Sequence, residues 1–284
     1  MNKKSFLVFL LVVAVLTTGC LENGESEGVS AQQMTPVFQD ISLTSSTIRP
    51  GREVRVEAEV VNSHVEDLED VEIRLESYSP LTTESENCEF EEVRGADYDA
   101  ELGGESIYCE WSLTCEEGSC EDIYDNYNEY PIEIDLVLDY STELSYQTET
   151  SEVEYLPIDD IDSSLISRKN HQVSNGDIRI SYSFDNPRPV DEPYFEKELE
   201  AENIGSGSIR NEELELDYSG GIVNAVEGFE EECNTLIISG DTSSVSTDCE
   251  YAVTDVSEYD IYDLSVRGRY KYSKQESITI EITS

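Results

Sequence analysis

A six-residue string that occurs twice constrains this chain more than any other feature. Cys109-Glu110-Trp111-Ser112-Leu113-Thr114 and Cys249-Glu250-Tyr251-Ala252-Val253-Thr254 both read cysteine, glutamate, aromatic, small, aliphatic, threonine. Each has period-two alternation, which sets cysteine, aromatic and aliphatic side chains on one face of a strand. Each also has an earlier cysteine as a candidate partner, Cys88 and Cys233. The likeness extends outward in order. Glu57-Ala58-Glu59 runs into Asn62, and Glu200-Ala201-Glu202 runs into Asn203. Glu72-Ile73-Arg74-Leu75-Glu76 precedes Tyr78, and Glu213-Leu214-Glu215-Leu216-Asp217 precedes Tyr218. Glu129-Tyr130-Pro131-Ile132 answers Glu258-Tyr259-Asp260-Ile261. The offsets are 143 (59 to 202), 141 (75 to 216), 140 (109 to 249) and 129 (130 to 259). Ordered landmarks at a near-constant spacing are the mark of an internal duplication.

The length of 284 residues agrees with two domains, each large enough for its own core. Alternating stretches recur through both halves: Val54 to Val60, Val71 to Leu75, Ile107 to Leu113 and Ile132 to Leu138, then Ile178 to Phe184, Leu214 to Leu216, Leu264 to Tyr272 and Ile278 to Ile282. Pro50-Gly51 and the prolines at 187, 189 and 193 punctuate them. No helical period persists after residue 20, and little in residues 163–175 commits to any element. Each half thus offers about seven short strands, which predicts an all-β chain of two tandem immunoglobulin-like β-sandwiches, 36–157 and 173–284, joined by a linker over 158–172. The Ile278–Ile282 strand is expected to close the second sandwich, where it is also an edge able to add to a neighbouring sheet.

Ahead of these lies a targeting segment. Lys3 and Lys4 precede the apolar run Phe6–Leu16, too short to span a bilayer and of signal-peptide length. It ends in Thr17-Thr18-Gly19-Cys20, which resembles a lipoprotein processing site, although Thr17 stands where such sites usually carry leucine. The resemblance implies a signal peptide over 1–19 and a lipid on Cys20. Residues 20–35, rich in Gly, Ser and Glu, read as a flexible tether. The chain is then exported and held at the outer face of the cell membrane.

Seven cysteines minus Cys20 leave six, an even number that in an exported chain predicts three disulfides. The repeat selects Cys88–Cys109 and Cys233–Cys249, leaving Cys115–Cys120. A zinc site at Cys109, Cys115 and Cys120 is disfavoured by the spacing. The charge is extreme: 64 acidic residues against 17 basic, a formal net charge of −47. Without Lys3 and Lys4 the balance is 15 − 64 = −49. Self-repulsion on that scale strains a compact fold at low salt, whereas at about 1 M salt the Debye length falls to ~3 Å. The composition resembles that of salt-loving archaeal proteins. Nucleic acid and anionic lipid head groups are disfavoured as partners, because both would be repelled.

The strand pattern resembles, more specifically, the tandem immunoglobulin-like (CARDB-type) modules of archaeal surface proteins. The features that carry this are a Gly-containing turn, a strand running into asparagine, an alternating strand, a cysteine loop and a Cys-x-aromatic strand. The resemblance implies an extracellular spacer or recognition module and brings no catalytic residue.

Candidate chemistry is sparse. The two histidines, His64 and His171, read as solvated loop residues, and no nucleophile motif or phosphate-binding loop occurs. No cofactor is expected. Acidic pairs are too abundant to mark a site. Calcium is the one ligand that acid-rich loops suit. Asp159, Asp160 and Asp162 at the domain junction are the leading set, with Asp122 and Asp125, and Asp255, Glu258 and Asp260, as others. Tyr124, Asn126, Tyr127, Asn128 and Tyr130 cluster around the segment 116–128, which the second half lacks; exposed tyrosine and asparagine are contact chemistry. The expectation is a non-catalytic, lipid-anchored binding or spacer protein meeting a surface protein or glycan. A structural subunit of an envelope or filament is the alternative, followed by a calcium-dependent adhesion module.

Overall fold

The computed structural model describes residues 35–283 apart from 85–86, 98–99, 101, 125–128, 145–150, 165, 191–193, 221, 226–232, 239–242 and 254–259. In the first half, β1 (Val37–Leu43), β3 (Glu53–Val61), β7 (Ser106–Thr114) and the short β5 (Thr82–Thr83) form an antiparallel sheet in the order β1-β3-β7-β5. Alternation decides which face is inside. β3 buries Val54, Val56, Ala58 and Val60 and exposes Glu53, Arg55 and Glu57; β7 buries Ile107, Cys109, Trp111 and Leu113. The facing sheet places β4 (Leu68–Glu76) between β6 (Cys88–Val93) and β8 (Glu129–Leu144).

The second half repeats this plan. β11 (Ile178–Asn186), β13 (Tyr194–Asn203) and β17 (Ser244–Val253) stand side by side as β1, β3 and β7 do, and β14 (Ser208–Gly220) lies between β16 (Thr235–Ile237) and the long β18 (Asp260–Thr283). β15 (Ile222–Ala225) lies beside β17 as β5 lies beside β7, and one strand is added to the sheet, β10 (Ser167–Ser174) beside β11. Gly268 sits at a buried point of β18 where an added Cβ would lie 2.8 Å from Ile180 Cδ1, so a larger residue would have to push that side chain aside.

The halves are not closed on themselves. The first part of β18 pairs with β14, but from Lys274 onward the strand runs into the first half and pairs with β8, setting Ile278 opposite Ile134, Ile280 opposite Ile132 and Ile282 opposite Tyr130. Its far edge meets β2 (Thr47–Ile48) in parallel. The reciprocal exchange occurs in the second half: β9 (Ser151–Leu156), which follows β8 in the chain, pairs with Asp260–Leu264 of β18, and its far edge meets β12 (Arg188–Pro189) in parallel. Each sandwich therefore takes its last strand from the sequence of the other. One sheet runs through both as β12-β9-β18-β8-β4-β6, one buried apolar cluster spans them, and Gln32–Ser284 forms a single compact unit.

Three expectations change. Ile278–Ile282 does not close the second sandwich; it pairs with β8 of the first, and its far edge is met by β2 at Glu281 and Ile282. Residues 167–174, uncommitted in sequence, form an edge strand. The inserted segment carries an eight-residue helix, α1 (Glu117–Tyr124), closed by the Cys115–Cys120 bridge. Among the described residues no helix is long and apolar enough to cross a membrane.

Ile280 and Ile282 are buried in the core of the first half. Ile280→Ala should lower the unfolding free energy by about 2–5 kcal/mol. In hydrogen exchange, the loss of protection should appear in β8 and β4; loss confined to the second half would contradict the exchange.

Candidate functional site: the junction of the two halves

Polar side chains concentrate where β18 passes from one half to the other. Lys274, the first residue of the crossing segment, is buried, and its Nζ lies 2.9 Å from Asp177 Oδ1 and donates to the carbonyl of Pro36 at 3.0 Å. Asp177 precedes β11 and is fully buried. Its Oδ2 lies 3.1 Å from His64 Nε2 of the first half and accepts a hydrogen bond from the Tyr140 hydroxyl on β8. His64 is held through its backbone: its N–H donates to Asn62 Oδ1 at 2.9 Å and its carbonyl accepts from Ala96 N at 2.6 Å. Around this centre Tyr140 packs on Tyr272 with ring centroids 5.8 Å apart, and Tyr270 meets Tyr272 edge-on at 5.9 Å. Asn175 donates to the Tyr270 hydroxyl at 2.6 Å, and the Tyr272 hydroxyl donates to Asn203 at 2.7 Å.

The asparagines at the ends of β3 and β13 do equivalent work. Asn62 donates to the carbonyl of Glu66 and Asn203 to that of Gly207, so each closes a tight loop four residues long. An added Cβ at Gly104 would fall 1.5 Å from the Asn62 carbonyl oxygen, so no other residue fits beside that loop.

Burial alone would push the Asp177 carboxyl up. The hydrogen bond and charge of His64, the charge of Lys274 and the Tyr140 hydroxyl outweigh it and hold the group below the usual carboxylate range. For Lys274 burial wins: it lowers the amine, although Asp177 acts in the opposite direction. A buried carboxylate with an ammonium, a hydroxyl donor and an imidazole beside it is an arrangement that a charge in the interior requires.

On the outer face of the shared sheet, cations of the second half meet acids of the first. Arg210 of β14 reaches Asp139 of β8 through two bonds of 2.9 Å, and Arg74 of β4 grips the same carboxylate. Arg269 and Arg267 of β18 lie 3.2 and 3.8 Å from Glu143. Burial works against ionisation of Asp139, but the Ser273 hydroxyl and the two guanidiniums hold its carboxyl below the ordinary range. A groove of about 920 Å³ opens beside these pairs, with Val65, Asp67, Thr142, Arg210, Glu213 and Lys271 on its walls.

The three disulfides are Cys88–Cys109, Cys115–Cys120 and Cys233–Cys249, with Cα–Cα separations of 6.1, 5.8 and 5.6 Å. Cys20 lies outside the described residues. Asp159 and Asp160 are exposed on a 3₁₀ turn, Ile158–Asp160, and the Asp162 carboxylate accepts from the backbone and hydroxyl of Ser164. The three are not brought together, and among the described residues no group of three or more acids, histidines or cysteines is placed to hold a metal ion. Asp260 begins β18; Asp125, Asp255 and Glu258 lie outside the described residues, as do Asn126, Tyr127 and Asn128. Tyr124 ends α1, and Tyr130 is part-exposed on β8 opposite Ile282. The inserted segment is built into the body, because Cys115 and Cys120 are both fully buried.

Both histidine expectations fail. His64 is 0 % exposed at the junction, and His171, on β10, stacks on Tyr182 and Phe184 at 5.1 and 5.6 Å. Sequence reasoning also passed over Lys197, 2 % exposed in the core of the second sandwich. It faces Cys249 across the ladder, where the first half sets Ala58 against Cys109, and its Nζ lies 5.4 Å from the Tyr182 ring centroid. Burial holds its amine well below the usual lysine range.

No protein-family model matches the chain, and no curated protein does. Among solved structures, the crystal structure of collagen adhesin (CNA) from S. aureus aligns over 88% of this chain and 93% of its own, at 9% identity and a TM-score of 0.11. The all-β sandwich architecture rests on the sheets described above.

Asp177→Asn should destabilise the protein by about 3–5 kcal/mol at neutral pH, because it leaves Lys274 buried without its counter-charge. The native carboxylate titrates below its unfolded value of about 3.9, so the difference between wild type and D177N is fully present above that pH. It should disappear as pH falls through the native Asp177 value, in urea titrations compared at each pH. Lys197 behaves in the opposite sense. The unfolded chain binds a proton that the native core resists, so its contribution improves as pH rises toward about 10.4. K197M should be more stable than wild type at pH 7, with the gap narrowing at alkaline pH; a constant gap would count against a depressed lysine.

Proposed function

We propose that this chain is a lipid-anchored, extracytoplasmic protein of the cell surface that works by binding and spacing and not by catalysis. The observation that carries the reading is the reciprocal strand exchange, which makes two sandwiches into one body able to hold a contact surface at a fixed distance from an anchor. Three disulfides suit an oxidising compartment outside the cytoplasm. The leader, Cys20 and the tether supply attachment, and the acidic surface suits a salt-rich medium of the kind in which salt-loving archaea live. The partner is a surface protein or glycan, met through the face around α1 and Tyr130.

Cys20→Ser tests the anchor. Wild type should partition with membranes and be cut by protease added to intact cells; C20S should move to the soluble fraction or the medium with its melting temperature unchanged. A C20S chain that stays with the membrane as wild type does would remove the lipid from the scheme.

A further inference from the structure

We propose that the first sandwich accepts the last strand of a second copy of this chain, so that copies join by strand exchange. This goes beyond the reading above and does not depend on the anchor. Among the described residues, the ladder partners of 274–283 all lie in the first half: β8 along the whole segment, and Thr47–Ile48 on the far side of Glu281 and Ile282. They set Ile280 and Ile282, both buried, beside Ile132 and Tyr130 of β8. The slot recognises a backbone ladder and a row of inward isoleucines, and both are the same whichever copy provides them.

The path of the chain permits the substitution. The crossing in question is made by β18. β18 crosses as one uninterrupted strand, so its last ten residues project from the second half whether or not the first half of the same chain receives them. β9 stays in the second half in either case. A first half that leaves its own β18 and takes a neighbour's keeps its other strand pairs, as does the second half it has left.

Charge selects the same partner. The chain is acidic nearly everywhere, and two copies repel. At the junction the second half presents Arg210, Arg267 and Arg269, and the first half presents Asp139 and Glu143. A neighbour's first half brings the same two carboxylates to the same three guanidiniums. Each copy gives one strand and receives one, so the contact is head-to-tail and closes as a ring or extends as a chain.

The test uses the full-length protein with Cys20→Ser, so that an introduced thiol has no native free thiol beside it. Glu133 and Thr279 face each other across the ladder and both are exposed. E133C and T279C, made in separate chains with different tags, have no partner cysteine within their own sandwich. Mixed at concentrations up to about 1 mM, the range at which a short tether holds its own end, they should form a disulfide-linked pair carrying both tags. Well below saturation, its fraction should rise about tenfold per tenfold concentration. The double variant E133C/T279C, oxidised as a monomer, should be locked and form none. Single chains throughout that range would overturn the proposal. So would E133C–E133C pairs as abundant as mixed ones, the mark of chance collision.

Discussion

The backbone ladder between β8 and β18 is the interaction on which the rest depends. A sandwich that lacks its last strand exposes a row of unpaired amides and carbonyls along an inner strand, together with the apolar face beneath it. Here both sandwiches lack that strand in their own sequence, and each is completed by the other. Burial follows from this. Ile132 and Ile134 of β8 are covered because Ile278 and Ile280 stand beside them, and Tyr155 and Val153 of β9 are buried in the second half and not in the first. Each half is thus completed by the other, and the repeat unit in the sequence is not a closed structural unit.

The few cations of the chain acquire a role in the same light. Residues 267–274 hold Arg267, Arg269, Lys271 and Lys274 without one acid, in a chain where acids outnumber bases 64 to 17. Three of the four reach groups that fasten the halves: Glu143 for the arginines, Asp177 and the Pro36 carbonyl for the lysine. The exposed pairs are each worth little, and salt weakens them. The buried set around Asp177 is insulated from salt. Contacts of that second kind hold the halves in alignment whatever the ionic strength.

Much of the fold was legible in the sequence. Period-two alternation identifies strands because one face must be apolar, and the repeated Cys-Glu-aromatic string places them in equivalent positions in the two halves. The cysteine pairs follow from the same repeat. What pattern does not carry is address. Ile278-x-Ile280-x-Ile282 says that a strand has a buried face, not whose sheet it enters, since the same alternation serves either partner. The junction was hidden for a related reason. His64 and Asp177 lie in segments rich in polar residues and read as solvated; they are buried because two loops from different halves meet, a long-range event that no local window records. Lys197 breaks an otherwise apolar alternation, and that break was the available signal.

The long strand also ties folding to the order in which the chain is made. The strand at Val37–Leu43 is made long before Ile280 and Ile282, yet these residues complete the sandwich to which it belongs. A first half emerging from the ribosome has an open flank until β18 is made, so it cannot reach its native state early.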